Sequence, residues 1–370
     1  MCKKALIKQL STELLIDHEE ILPANLIHDE LRRGLRVLAN QMTSTTCLKK
    51  RIGLSAQRIA KILLRIRPQL TLPIDNSEEM LVLGHKCLQL DSSGTRFADI
   101  CVSKVPPGVR RTNQTDEIIR KALQRLSSAN DRGDLLLLLA HGSLSTEDGT
   151  EFSDLDFMAV FKDRCFHSDK AVKTLLSETA NFNKFIQQID PLSHHGIFVL
   201  SEKDLSAYDE SYLPIRQLLL SSRIHGHRKI TLGLRSCRME SGRQLLRHAI
   251  GIRERPSDVF SVKLFLSRIH LIPAIFLQSI HGLYIDKKTA IEMASSIYPR
   301  KALRAVEMAS ELREKWCCSK PMQTISQELI VSARYLSNYC LSKLITVAQS
   351  LVETDTYLAQ TNNINDISTI

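Results

Sequence analysis

Aromatic side chains are scarce in this sequence, in which Phe, Trp and Tyr make up 5% of 370 residues. This scarcity weakens any function that depends on stacking single-stranded bases on aromatic rings. The glycine-rich loops of Rossmann and P-loop proteins are absent, so neither of those nucleotide sites is supported. No serine lies in a nucleophile-elbow pattern, and nothing indicates a hydrolase triad.

Long uninterrupted apolar runs are also missing. Residues 1–20 contain lysines and acids before any apolar region develops, so we expect neither a signal peptide nor a membrane anchor. The most apolar later stretch, residues 261–285, is interrupted by Lys263, Arg268 and Pro273, and we reject a transmembrane segment there. The nine cysteines include no Cys-x-x-Cys pair, which favours reduced thiols and a cytoplasmic location.

Positive charge is concentrated in two segments of the chain, whose net charge is +10. Residues 1–70 carry 13 Lys and Arg against 6 Asp and Glu, and residues 216–255 carry 10 against 2. Localised positive charge favours partners that bear phosphates, including nucleotides and nucleic acids. Two solvated helix faces would give the same totals, so both interpretations stay open.

Apolar periodicity divides the chain into three regions. Residues 1–104 are predicted to be a mainly helical region of unknown role, which a proline-rich linker follows. Residues 105–205 are predicted to contain helix, strand, loop, strand, helix and strand, with Ser168 as the cap of the second helix. Residues 206–370 are predicted to be a helical C-terminal domain. The sequence therefore predicts an α+β protein, in which a small core is flanked by helical regions.

The stretch HGSLSTEDGTEFSDLDFMAV, residues 141–160, carries the clearest chemistry. Asp154 and Asp156 would share one face of a strand, where two carboxylates repel each other unless a cation neutralises them. Mg²⁺ characteristically binds one or two carboxylates together with substrate phosphates. Gly142 and Ser143 would offer backbone N–H groups and a hydroxyl to the outer phosphates of a nucleoside triphosphate. The pattern indicates phosphoryl or nucleotidyl transfer.

An apolar strand, Gly-Ser, a loop and then Asp-apolar-Asp-apolar resemble the signature of the DNA polymerase β-like nucleotidyltransferase superfamily. The compact core followed by helices looks most like the aminoglycoside and minimal nucleotidyltransferases. The resemblance covers residues 116–205 and, more loosely, the helical C-terminal half. It implies a polymerase β-like core, two metal ions on Asp154 and Asp156, and triphosphate binding at Gly142 and Ser143.

One position departs from the superfamily pattern. Active members usually supply a third carboxylate from a later strand, but the matching strand SHHGIFVLSEK has no Asp or Glu in its interior. His195 is assigned as the proton acceptor because an imidazole titrates near neutral pH. A polar strand entry without a chemical role is the alternative interpretation of His194 and His195. Lys287 or Lys288 would contact the nucleotide phosphates, and a solvated first helical turn is the alternative.

The sequence therefore predicts a Mg²⁺-dependent nucleotidyltransferase that transfers AMP from ATP to an acceptor hydroxyl and releases pyrophosphate. The acceptor would be an RNA, a small molecule or a protein hydroxyl, and the basic segments favour RNA. A catalytically degenerate nucleotide-binding or regulatory module is the alternative, which the missing third carboxylate favours. We expect no membrane partner, and the oligomeric state does not follow from the sequence.

Overall fold

The computed structural model divides into two compact units, one within residues 20–236 and the other from residue 237 onward. This division differs from the predicted boundary at residue 205, because the segment up to residue 236 belongs to the first unit. The structure describes residues 24–43, 49–66, 68–87, 96–101, 113–142, 145, 154–191, 193, 196–206, 208–209, 218, 221–227, 229–235, 238–281, 283, 287–314 and 325–365.

The described helices and strands are numbered separately along the chain. The first unit contains α1 (Ala24–Thr43), α2 (Lys49–Ile66), α3 (Ser77–Cys87), β1 (Arg96–Cys101), α4 (Asn113–Arg125), α5 (Ser127–Asp131), β2 (Leu135–His141), β3 (Asp156–Phe161), α6 (Asp169–Ile189), β4 (Ile197–Ser201), α7 (Glu202–Ser206), β5 (Tyr208–Asp209), β6 (Ser222–Gly226) and β7 (Lys229–Arg235). The second unit contains α8 (Arg238–Gly251), α9 (Val259–His281), α10 (Lys287–Ile297), α11 (Arg300–Glu314) and α12 (Gln327–Asn365).

A mixed sheet with the order β4-β3-β2-β6 lies in the first unit. β2 pairs antiparallel with both β3 and β6, whereas β3 pairs parallel with β4. A parallel pair requires a crossover, which α6 supplies here, and the Ser168 hydroxyl caps α6 by accepting the Ala171 N–H. The sheet and its helices confirm the predicted α+β class.

Both faces of this sheet are covered. On one face, α4, α5 and α6 bury Phe157 and Phe161, and the rings of Phe157 and Phe182 form a T-shaped pair with their centroids 5.2 Å apart. On the other face, Leu139 and Met158 pack with residues of β7. Strands buried on both sides have continuous apolar sequences, which explains why β2 and β3 were predictable.

The helices α1, α2 and α3 form a core of their own that extends to α6. Leu35, Ile59 and Met80 are fully buried in it or nearly so, and α6 contributes Val172 and Leu176. The described part of residues 1–104 is therefore mainly helical, as predicted, but it packs directly on the mixed core. It also supplies the strand β1.

A second sheet, with the order β1-β7-β5, belongs to the same unit. The prediction that the chain is helical from residue 206 is wrong for β5, β6 and β7. In β7, Ile230 and Leu232 are buried while Lys229 and Thr231 are exposed. This alternation has the two-residue period of a strand. The alternating apolar and polar residues of KITLGLR were thus a signal for a strand that the helical prediction overlooked.

Every described element from Arg238 onward is helical. α9 is long and apolar enough to cross a membrane by length and composition, and 56% of its most apolar window is buried inside the structure. Within this unit the Phe276 ring contacts Tyr298 and Tyr339. Such packing among helices accounts for the apolar composition of α9. Pro273 lies inside α9 without ending it.

Candidate functional site

The ends of β2 and β3 bring the predicted glycine and one predicted aspartate together. His141 lies directly opposite Asp156 in the antiparallel pair, and Gly142 follows at the strand end. Gly142 has a φ of 64°, in the left-handed region that favours glycine. A Cβ atom added at Gly142 would lie 2.9 Å from Asp156 Oδ2. A glycine is therefore needed here both for its backbone conformation and for the close approach of the carboxylate.

Asp156 is the first residue of β3 and is partly buried. Its Oδ1 atom is shielded from solvent and has no hydrogen-bond donor among the described residues. A buried carboxylate oxygen without a donor is costly, and a bound cation would remove that cost. The residues present therefore fit a hard divalent cation.

Asp154 lies just before β3, which begins at Asp156 rather than at the predicted start of the SDLDFMAVF strand. The backbone of the segment is held from α6, because the Leu155 N–H donates to Asp190 Oδ2 at 3.3 Å. The Leu155 side chain packs on the helix-covered core. In an extended chain, that direction for Leu155 leaves its two neighbours on the opposite face. Because Asp154 and Leu155 lie outside the strand, the pairing of the two carboxylates on one face stays a prediction.

Ser145, which no local sequence pattern singles out, is hydrogen-bonded to the neighbouring strands. Its buried hydroxyl donates to the Ala140 carbonyl at 2.6 Å and accepts the Ser222 N–H at 3.2 Å. Its own N–H donates to the Gly142 carbonyl at 3.0 Å. These bonds tie Ser145 to both β2 and β6. The second serine of the GSLS stretch was the available signal, but its partner on β6 is far away in the sequence.

The remaining predicted site residues lie either outside the described residues or in the second unit. Ser143 and His195 lie outside the described residues, as does His194. Lys287 and Lys288 begin α10 in the second unit. No group of three or more His, Cys, Asp or Glu side chains that could hold a metal is found within the described ranges.

Neither strand that flanks β2 and β3 supplies a third carboxylate. β4 has the sequence IFVLS and β6 has the sequence SRIHG. The acids that follow β4 have structural roles at the other end of the strand. Asp204 accepts the Ser201 N–H at 2.8 Å, and Glu202 accepts the Asp163 N–H at 3.1 Å. Within the described residues, no strand of this sheet other than β3 therefore carries an acidic residue.

A cavity of about 350 Å³ lies near the opposite ends of β2 and β3 and is lined by an ion cluster in which a buried Asp134 is paired with exposed arginines. Asp134 accepts 2.7 Å hydrogen bonds from Arg132 and Arg164. Burial tends to raise the pKa of Asp134, but hydrogen bonds from these two arginines outweigh it and lower the pKa. Burial raises the pKa of the nearby Cys165 thiol to about 12, so this cysteine is not a nucleophile. The cluster has the properties of a structural ion network.

Two buried histidines are neutral core residues. Burial lowers the pKa of His85 to about 4, and its ring stacks on Phe166. Burial, followed by the charges of Arg313 and Lys287, lowers the pKa of His270 to about 3. Neither side chain suits proton transfer near neutral pH.

No protein-family model matches the chain, and no curated protein matches it. Among solved structures, the chain is similar to a spectinomycin adenyltransferase from Enterococcus faecialis, crystallised with ATP and spectinomycin. The identity is 15% and the TM-score is 0.41, over 63% of this chain and 99% of the other. A likeness of this size carries no argument about function, which rests on the geometry of the chain itself.

Proposed function

We propose that the protein is a Mg²⁺-dependent nucleotidyltransferase that transfers a nucleoside monophosphate, AMP from ATP, to an acceptor hydroxyl. The observation that carries the proposal is the arrangement at the ends of β2 and β3. There the shielded Oδ1 of Asp156 lacks a donor among the described residues, and the positive-φ Gly142 lies against the same carboxylate. This arrangement suits a cation beside a phosphate chain.

In this proposal Asp154 and Asp156 hold Mg²⁺, which would lower the pKa of the attacking hydroxyl and stabilise the leaving pyrophosphate. The backbone at Gly142 and the hydroxyl of Ser143 bind the outer phosphates. The acceptor oxygen forms a bond to the α-phosphorus while the bond from that phosphorus to the bridging oxygen of the β-phosphate breaks. His195 takes the proton of the acceptor hydroxyl.

Lys287 is proposed as a further contact to the nucleotide phosphates. It is the first residue of α10 and is partly buried. A reduced, cytoplasmic protein remains part of the proposal, and the buried Cys87, Cys165 and Cys340 form no disulfide within the described residues.

A catalytically degenerate nucleotide-binding or regulatory module is the second candidate. It is favoured by one observation, the absence of a third carboxylate from β4 and β6. The two functions differ in turnover, because a regulatory module would bind nucleotide without releasing pyrophosphate.

The test is incubation of the full chain with Mg²⁺ and each α-labelled nucleoside triphosphate, together with RNA, extract protein or small metabolites. We expect pyrophosphate release and label transfer to one acceptor class, both abolished by chelating the metal. Asp156→Asn should reduce transfer by more than about 100-fold, because even indirect partners of metal ligands contribute 10- to 100-fold. Asp131→Asn, at an exposed position at the end of α5, is the matched control and should retain activity.

The outcomes separate the candidates. Mg²⁺-dependent nucleotide binding without transfer, lost in Asp156→Asn, would establish the regulatory module instead. Absence of both nucleotide binding and transfer would rule out the site.

A further inference from the structure

The helix α2 carries only positive charge. Its sequence, KKRIGLSAQRIAKILLRI, contains three Lys and three Arg but no Asp or Glu. The basic excess that the sequence shows in residues 1–70 is thus concentrated in one described helix. Helices with exposed cations usually intersperse acids, which form pairs along the helix. α2 has no acid to do so.

Four of the five exposed cations described in α2 share one face, and Lys49, at the first position of the helix, lies outside it. Lys50, Arg51, Arg58 and Lys61 are all exposed. At 3.6 residues per turn, their positions fall within an arc of about 100° around the helix axis. Between Lys50 and Lys61 the helix rises about 17 Å. The four charges therefore lie along one side of the helix.

The opposite face of α2 is occupied by the protein itself. Ala56, Ile59 and Leu63 are fully buried in the core formed with α1 and α3. An amphipathic helix that binds a bilayer inserts its apolar face, but this face is not available. Exposed apolar area on the outer side comes from Leu54 and Leu64. Charge therefore dominates what the outer face offers to a partner.

These cations are not neutralised within the described structure. None of the four side chains makes a hydrogen bond or an ion pair with another described residue. By contrast, Arg132 is paired with Asp134 and Glu178. Unpaired cations in a row attract a polyanion and displace the counterions that surround its phosphates.

We propose that this face of α2, defined by Lys50, Arg51, Arg58 and Lys61, binds the sugar–phosphate backbone of RNA. The cations would contact phosphates, and the exposed Gln57 on the same side would reach ribose 2′-hydroxyls. α2 contains no aromatic residue, so the face suits recognition of backbone and shape, as in double-stranded RNA, rather than base stacking. This binding is independent of catalysis. The further step, in which bound RNA provides the acceptor hydroxyl, rests on the proposed function.

The test measures binding of a fluorescein-labelled RNA hairpin to the full chain by fluorescence anisotropy over a range of salt concentrations. Removing Lys50, Arg58 and Lys61 together, by substitution with Ala, should weaken binding at least about tenfold near physiological salt. The plot of log affinity against log salt concentration should become shallower by about 2 to 3, because each lost phosphate contact lowers the slope by about 0.7 to 0.9.

A matched variant removes three exposed cations from other helices, Arg120 of α4 and Lys173 and Lys184 of α6. Its net charge equals that of the test variant, so a nonspecific charge effect would weaken both equally. We expect the control to bind RNA like the wild type. Circular dichroism and thermal unfolding should show that both variants fold, because all six positions are exposed.

Several results would overturn the inference. These are equal RNA affinity of the test variant and the wild type, equal weakening of both variants, and binding of a DNA hairpin of the same sequence as tightly as RNA. Binding to phosphatidylserine vesicles without RNA binding would identify a membrane surface instead. Asp156→Asn should bind RNA normally, so loss of transfer in that variant with intact RNA binding separates the site from the α2 face.

Discussion

At the scale of single residues, Gly142 is constrained twice. Its φ of 64° disfavours any side chain, and its missing Cβ leaves room for Asp156 Oδ2. Gly142→Ala should therefore destabilise the fold by about 1 to 2 kcal/mol through backbone strain. It should also displace the Asp156 carboxylate, and an error of about 1 Å at a reacting centre reduces a rate by about 100-fold. Denaturant unfolding and nucleotidyl transfer measure the two effects.

Gly133 provides the matched control for this substitution. Its φ is 65°, but an added Cβ would find its nearest neighbour, Lys162 Nζ, at 3.9 Å. Gly133→Ala should have the same strain of about 1 to 2 kcal/mol and leave transfer unchanged. If both variants lose activity in proportion to stability, the contact between Gly142 and Asp156 has no special role.

Candidate site residues can be selected from the sequence where the residue type is unusual in its immediate sequence context. Asp156 and Gly142 stand out because a carboxylate in an apolar strand and a glycine at its end are unusual in a short window. Ser145 could not be selected in that way. Its hydroxyl is important because it accepts the N–H of Ser222, a residue whose proximity only the pairing of β2 with β6 creates.

At the scale of elements, Asn183 joins three of them. Its side chain, on α6, donates to the Thr43 carbonyl at the end of α1 at 3.1 Å. The same side chain accepts the Ile197 N–H at the start of β4 at 2.7 Å. Ile197 pairs with Phe157, the neighbour of Asp156, so this junction lies beside the candidate site. The end of α1 and the start of β4 are thus fixed to one buried amide.

Asn183→Ala should destabilise the protein by about 2 to 4 kcal/mol, because it leaves two buried backbone groups without partners at about 1 to 3 kcal/mol each. Asn181→Ala, two residues away on the exposed side of α6, should change stability by less than about 1 kcal/mol. Denaturant unfolding gives the two values, and amide hydrogen exchange should show faster exchange at Ile197 in the first variant. Equal stability of the two variants would contradict the role of this junction.

Elements were predictable where one period dominated the sequence. β2 and β3 are apolar throughout, and α6 has a serine cap and a clear helical period. β6 is short and carries Arg223 and His225, which gave no apolar signal. It forms a strand because it pairs antiparallel with the edge of β2. In addition, the buried N–H of Ser222 donates a hydrogen bond to the Ser145 hydroxyl.

At the scale of the whole molecule, the extent of the hydrophobic cores explains why the first unit ends near residue 236. The three cores of this unit draw on residues between Leu31 and Leu232. The predicted core of residues 105–205 contains α4, α5 and α6 but omits α1, α2, α3, β6 and β7, which also pack on it. This boundary was not accessible from local patterns, because Ile230 and Leu232 of β7 gain their importance by packing on β2 and β3.

A fragment of residues 20–236 should therefore fold by itself, because each of its cores is complete within it. A fragment of residues 105–205 should not fold cooperatively. It loses β6, which pairs with β2, and β7, which covers Leu139 and Met158. It also loses α1, α2 and α3, which cover Val172 and Leu176 of α6. In the shorter fragment several apolar side chains on these faces become exposed to solvent, and each loses about 1.5 to 3 kcal/mol of burial free energy. The summed loss exceeds the usual free energy of unfolding of a domain.

Circular dichroism, urea unfolding and one-dimensional NMR of the two fragments test this expectation. We expect a cooperative transition and dispersed amide and methyl resonances for residues 20–236, and neither for residues 105–205. Cooperative folding of the shorter fragment would show that the sheet is stable without β7 and the N-terminal helices. An unfolded longer fragment would show that the first unit depends on the helical unit for its stability.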